Sequence, residues 1–229
     1  MIVTDQFVFI HLHKSGGTFV LSFLQQFEST AKMIGYHLPY SELPEEFRRL
    51  PVLGSVRNPW SYYVSWYSFQ AAMENPNPLF RIVSDDRQLD FNATVTNLVN
   101  LSESPGRLDA LQKILPDHFR PRGINLTRTC IEPLRNDDIG FYSFMYERMY
   151  AGAKEPRIVG MESLREDLLN ALPACGRQLS REELQFIEQQ PPTNTTRHGP
   201  YQGYYNDELR DLVAEKDRAV IERFGYSFS

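Results

Sequence analysis

The sequence predicts an α/β fold: a single domain built on a central parallel sheet, with helices on both faces. Three stretches point that way. Phe7–Leu12 is a short run of apolar and β-branched residues that reads as a buried strand. It passes through two glycines into Phe19, Val20, Phe23, Leu24 and Phe27 at helical spacing. Pro51–Val56 repeats the arrangement, running through Arg57 into a helix that Asn58 can cap and Pro59 can open. Arg157–Met161 does so again, ahead of Leu164, Leu168 and Leu169 on one helical face. Strands alternating with helices call for crossover connections and hence a parallel sheet with both faces covered.

The remaining elements follow in order. Lys32–Tyr36 is a strand candidate, and Ser41 resembles the N-cap of a short helix carrying Glu42, Glu45 and Glu46. The helix opened by Pro59 runs through Trp60, Tyr63, Val64 and Tyr67 towards Met73, and the prolines of Asn75–Pro78 stop it. Asp90 caps a helix reaching Ser102, Leu108–Leu115 forms another, and Pro116–Arg128 reads as a loop holding Arg120, Arg122 and Arg128. Phe141–Tyr150 is an aromatic helix, Glu162–Leu172 a helix with its leucines on one face, Arg181–Gln189 a short helix, and Asn206–Phe224 a long amphipathic one. No internal repeat or low-complexity block interrupts the chain.

With 229 residues, 41% of them hydrophobic and 13% aromatic, the chain can bury a sizeable core and is not a disordered segment. A net charge of −5 gives no overall attraction for nucleic acid or acidic membranes, so any anion site must be made locally. The first strand begins too early for a signal peptide, and no apolar run approaches the ~20 residues of a spanning helix. A cytoplasmic protein is therefore expected. Cys130 and Cys175 stand in no metal-ligand spacing and are expected as free thiols. The N-x-[ST] triplets at Asn92, Asn100, Asn125 and Asn194 matter only in a secreted protein.

Two stretches carry chemistry. Between the first strand and its helix lies Lys14-Ser15-Gly16-Gly17-Thr18. Glycines allow a sharp turn, the helix N-terminus offers unpaired N–H groups to an anion, and Lys14 adds a full charge. That is a phosphate cradle, but neither a Walker A loop, whose lysine follows the glycines, nor a G-x-G-x-x-G turn. The second stretch is Arg57-Asn58-Pro59 with Ser65 and Tyr67 further on: a bidentate donor at a strand end and a hydroxyl two turns into the next helix.

The first stretch, with His11-Leu12-His13-Lys14 leading into it, resembles the 5′-phosphosulfate loop of the sulfotransferases that use 3′-phosphoadenosine 5′-phosphosulfate (PAPS). The second matches R-N-P-x-x-x-x-x-S-x-Y and resembles their 3′-phosphate motif. Gly160–Asp167 is similar to the family's late strand ending in E-x-L. Arg197–Tyr201, Tyr204, Tyr205 and Glu222–Tyr226 are similar to the C-terminal part of bacterial and carbohydrate members. Residues 79–150 match no motif, and acceptor specificity is expected there, in a helical insertion.

The resemblance implies a P-loop-like sulfotransferase fold and in-line transfer of a sulfuryl group from PAPS to a hydroxyl, less readily an amine, of a glycan or small molecule. The product would be the bisphosphate PAP, and no metal would be needed. Lys14 would face the leaving phosphate; Ser15, Gly16, Gly17 and Thr18 would hold the 5′-phosphate; Arg57, Ser65 and Arg197 the 3′-phosphate. Gly35–Leu43 resembles the segment of heparan sulfate 6-O-sulfotransferases that carries their catalytic histidine, which makes His37 the expected base, with Glu74 and Glu162 as substitutes. Two other functions stay open on the residues alone. One is an ATP-dependent small-molecule kinase, although neither the Pro51–Val56 nor the Arg157–Met161 strand ends in aspartate. The other is a non-catalytic module binding PAP or a sulfated glycan.

Overall fold

The computed structural model describes residues 1–121, 125–191 and 199–229. In chain order the elements begin β1 (Ile2–Val3), β2 (Val8–Ile10), α1 (Gly17–Phe27), β3 (Lys32–Met33), β4 (Val52–Val56), α2 (Pro59–Ala72), α3 (Pro78–Val83) and α4 (Phe91–Val99). They continue α5 (Pro105–Ile114), α6 (Arg128–Ile131), α7 (Phe141–Tyr150), β5 (Arg157–Gly160), α8 (Leu164–Ala174), α9 (Arg181–Gln189), α10 (Asp207–Lys216) and α11 (Arg218–Phe224). The chain divides into two compact units. One is Met1–Arg57, Arg120–Asn125 and Glu147–Thr195; the other is Asn58–Phe119, Leu126–Tyr146 and Thr196–Ser229. Among the described residues no helix is long and apolar enough to cross a membrane.

The first unit holds a five-stranded sheet of order β3-β1-β2-β4-β5. The α/β class is as expected, but the sheet is mixed, not parallel throughout. β2 pairs β4 in parallel, Val8 opposite Val52 and Ile10 opposite Gly54, and β4 pairs β5 in parallel. β1 is antiparallel to both β2 and β3. The reason lies in the link lengths. β1 and β2 are separated by a turn closed by Thr4, whose N–H donates to the Phe7 carbonyl and whose hydroxyl accepts the Phe7 N–H, each at 2.9 Å. A connection this short can only join antiparallel strands. β1 has two residues and no periodicity, so the sequence does not announce it.

Strand alternation sends Phe7 and Phe9 to one face, where they join Leu53 of β4 and Val159 of β5. Against them pack Phe19, Val20, Phe23 and Leu24 of α1, Leu164, Leu168 and Leu172 of α8, and Ile187 of α9. Arg177 fastens this layer, donating to Glu183 at 3.0 Å and to the Phe27 carbonyl at 2.9 Å, and pairing with Glu28. On the opposite face the Tyr150 hydroxyl accepts the Ser55 N–H at 2.8 Å. It also lies 2.8 Å from the Ser55 carbonyl and 3.1 Å from that of Ile10, so it bridges β2 and β4. Its ring requires Gly54, where a Cβ would stand 2.4 Å away.

Other boundaries differ from expectation. Lys32–Tyr36 contracts to the exposed β3, and Ser41 caps nothing: it sits inside a 3₁₀ turn, Tyr40–Glu42, entered from Pro39. The Asp90-capped helix ends at Val99, and α3 was not foreseen behind its prolines. The caps themselves hold. Asn58 accepts from the N–H groups of Trp60 and Ser61, and Asp90 from that of Ala93.

The second unit is helical. The expected Asn206–Phe224 helix breaks into α10 and α11 at Asp217, whose side chain is wholly buried. Its Oδ2 accepts the Tyr63 hydroxyl and its Oδ1 the Ser143 N–H, each at 2.8 Å, while the Tyr63 oxygen accepts the Tyr142 N–H at 3.0 Å. One carboxyl thus ties α2 and α7 to the α10–α11 junction. Burial pushes its pKa up to about 6. A carboxyl that holds its proton more tightly when folded contributes stability that is complete below the ordinary 3.8 and lost as pH rises through about 6. Asp217→Ala strands two buried donors and should destabilise the protein by roughly 2–4 kcal/mol. Denaturant titration of both proteins should find the penalty larger in acid than at neutral pH, and an equal penalty at both would contradict a raised pKa.

Candidate functional site

Beyond Ile10 the chain leaves β2 and turns through His11–Gly16 into α1. Two residues of the turn are left-handed, Lys14 at φ 56° and Gly16 at φ 79°. Glycine takes that region freely, but a lysine there costs roughly 1–2 kcal/mol. The Ser15 side chain is buried, and its hydroxyl donates to the His13 carbonyl at 3.1 Å, closing the turn on itself. α1 then starts at Gly16 with no side-chain cap and no acidic residue in its first turn. Its positive end is left to whatever anion approaches.

The glycines answer to the protein's own packing. A Cβ on Gly16 would stand 2.8 Å from the Met161 sulfur and 2.9 Å from Leu164, and one on Gly17 1.9 Å from His11 Nδ1. They let α1 settle against the end of β5 and against the His11 ring.

Arg57 follows β4 directly, and because β4 runs parallel to β2 it emerges at the same edge of the sheet as the turn. Its Nη1 donates to the Lys14 carbonyl at 2.9 Å. The Lys14 ammonium is partly desolvated and feels the Arg57 charge, and these lower its pKa to about 8.

Three histidines complete the arrangement. His37 is left-handed as well, at φ 53°. The chain before it is anchored by the Tyr36 N–H, which donates to the Pro121 carbonyl at 2.7 Å, and by Asn125, which donates to the Tyr36 carbonyl. His37 Nδ1 lies 3.0 Å from the His11 carbonyl. A carbonyl can only accept, so Nδ1 carries the proton and Nε2 keeps its lone pair. The ring stacks on His13, centroids 4.0 Å apart, and lies 4.2 Å from that of His11. Burial lowers the His37 pKa to about 4, with the His11 hydrogen bond acting in the opposite direction. Burial, and then the neighbouring His37, also holds His11 and His13 well below the usual histidine range. All three are neutral bases at physiological pH. The His37 ring is stacked on that of His13 and tilted by 35° to that of His11, and among the described residues no group of three His, Cys, Asp or Glu is placed to hold a metal.

Of the expected site residues, Lys14, Ser15, Gly16, Gly17, Thr18, Arg57 and His37 all belong to the first unit, with Thr18 exposed. Ser65 is buried in α2 of the second unit, and Arg197 lies outside the described residues. Glu162 is exposed just past β5, and Glu74 is exposed beyond α2 in the second unit. Sequence reasoning missed the part played by His13, which supports the His37 ring, and by Tyr150. Alternation does put His11 and His13 on one side of the strand, but nothing local says which residue packs against both.

The chain matches no protein-family model, no curated protein and no solved structure. In a nitrogen-detected NMR titration, His37 should remain neutral at physiological pH with its proton on Nδ1 and protonate only near pH 4. A midpoint at the ordinary 6.5, or the Nε2-protonated tautomer, would contradict the buried stack.

Proposed function

We propose that the protein is a PAPS-dependent sulfotransferase of the P-loop-like type, acting on a hydroxyl of a glycan or small molecule. The observation that carries this reading is the hydrogen bond between Arg57 and the Lys14 carbonyl. It joins the residue expected at the 3′-phosphate to the one expected at the 5′-phosphosulfate, at the edge of parallel strands where α/β sheets bind their ligands. The local chemistry fits an anionic nucleotide: an ammonium, a guanidinium and an uncapped helix N-terminus in a chain of net charge −5.

In this reading the chain's residues divide the work of an in-line transfer. The amides of α1's first turn hold the 5′-phosphate, and Arg57 recognises the 3′-phosphate that separates PAPS from ATP. The sulfur–oxygen bond to the 5′-phosphate breaks as a new one forms to the acceptor oxygen. His37 Nε2 takes the proton from that oxygen, and Lys14 stabilises the charge growing on the leaving phosphate. His37 suits the role because its tautomer leaves Nε2 as acceptor and burial keeps the ring neutral. Its low pKa makes it a weak base, so the acceptor proton would move late, as the new bond forms.

Calorimetric titration should show PAP binding without added metal and far more tightly than ATP with Mg²⁺, and equal affinities would argue against this site. With an acceptor in hand, His37→Ala should lower kcat by ~10²–10⁴-fold with PAP affinity nearly unchanged. Lys14→Ala should reduce kcat more than it weakens PAP. The profile of kcat/KM against pH reports the free enzyme. It should rise through about 4 as His37 loses its proton and fall through about 8 as Lys14 loses its charge. An acidic limb that survives in His37→Ala would assign the base to another group.

A further inference from the structure

Lys14 occupies a backbone conformation that an L-residue avoids, and such a conformation persists only where the surroundings over-determine it. The turn supplies part of that restraint through Ser15. Another part comes from outside the turn. Arg57 lies 43 residues away in sequence, one residue past a strand whose parallel pairing to β2 fixes where its backbone starts. The Arg57 Nη1 donor meets the carbonyl of the left-handed residue itself, and a charge-assisted bond of this kind is roughly twice as strong as a neutral one. Rotating Lys14 back towards the ordinary helical or extended regions would swing that carbonyl away from the guanidinium.

We propose that Arg57 is a positioning residue for Lys14, holding the lysine's turn, and with it the entry to α1, in the conformation that receives a 5′-phosphate. The consequence separates this role from simple phosphate recognition: removing Arg57 should harm binding of a nucleotide that has no 3′-phosphate at all. The ligand part of the test rests on the sulfotransferase reading, whereas the backbone part does not.

Two variants of the full chain, Arg57→Ala and Arg57→Lys, serve for both parts. Hydrogen exchange on ligand-free protein reads the amides of residues 19–21, where the Phe19 N–H bonds the Gly16 carbonyl at 3.0 Å and the ladder of α1 begins, with α9 as internal control. In Arg57→Ala these amides should exchange about tenfold faster or more while α9 is unchanged, and Arg57→Lys, which keeps a charged donor, should restore most of the protection. Unchanged exchange at 19–21 in Arg57→Ala overturns the proposal. If Arg57→Ala loosens the whole protein, Arg57→Lys decides: protection regained at 19–21 supports the proposal, and protection still lost there overturns it.

Calorimetry with 5′-AMP and with PAP supplies the second part. Arg57→Ala should weaken 5′-AMP about tenfold, and PAP by more than that. Arg57→Lys should recover 5′-AMP binding without recovering the full preference for PAP, since an ammonium lacks the planar fork. Loss of PAP affinity with 5′-AMP untouched would reduce Arg57 to a phosphate contact and overturn the proposal. Failure of the wild-type protein to bind PAP would instead overturn the sulfotransferase reading, with the exchange measurement still deciding the role of Arg57.

Discussion

The parallel pairing of β2 with β4 is the constraint on which the rest of the first unit depends. The two strands are short, of three and five residues, yet their register sets where each leaves the sheet. Ile10 stands opposite Gly54, so the Lys14 turn and Arg57 emerge at one edge, and their hydrogen bond follows from that pairing. Tyr150 reinforces it from the other face by placing one hydroxyl between Ser55 and Ile10. A slip of one residue would reverse the faces of Phe7 and Phe9 and strand them outside their cluster with α1, α8 and α9. Packing and site geometry are thus specified by the same register.

The histidine stack of the first unit and Asp217 of the second respond to acid with opposite signs. In the first, His11, His13 and His37 are held neutral in a stack, so unfolding admits protons that the folded state refuses. For His37 that contribution is complete above the ordinary 6.5 and lost as pH falls towards about 4. In the second, Asp217 prefers its proton when folded, and its contribution is lost as pH rises. Both effects come from desolvation, which opposes whichever form is charged.

Backbone strain is distributed unequally. Asp85, Asp86 and Arg87 are left-handed in succession, but they form a surface turn served by local bonds such as that from the Arg87 N–H to the Ser84 hydroxyl. Lys14 and His37 are held by partners distant in sequence: Arg57 for one, the His11 carbonyl for the other. The proposed acid–base and leaving-group residues are therefore among those whose conformations depend on tertiary structure, which fixes their geometry before any substrate arrives.

What the sequence determined by itself is what depends on near neighbours. The helix caps at Asn58 and Asp90, the Gly16–Gly17 turn between a strand and a helix, and the alternation that puts His11 and His13 on one side all follow from a few adjacent residues. Tertiary structure decided the rest. β1 and the direction of its pairing depend on a four-residue link closed by Thr4, and no hydrophobic period reveals it. The helix over 206–224 breaks because the Asp217 carboxylate answers to Tyr63 and Ser143, residues 154 and 74 positions away. Gly17 must be glycine because a histidine ring presses on it, and that too is invisible in a list of residue types. The residue types in Lys14–Thr18, Arg57 and His37 declare a capacity for anion binding and proton transfer. Whether they can act together depends on strand pairing and ring stacking, and these form only when distant segments give up solvent to pack.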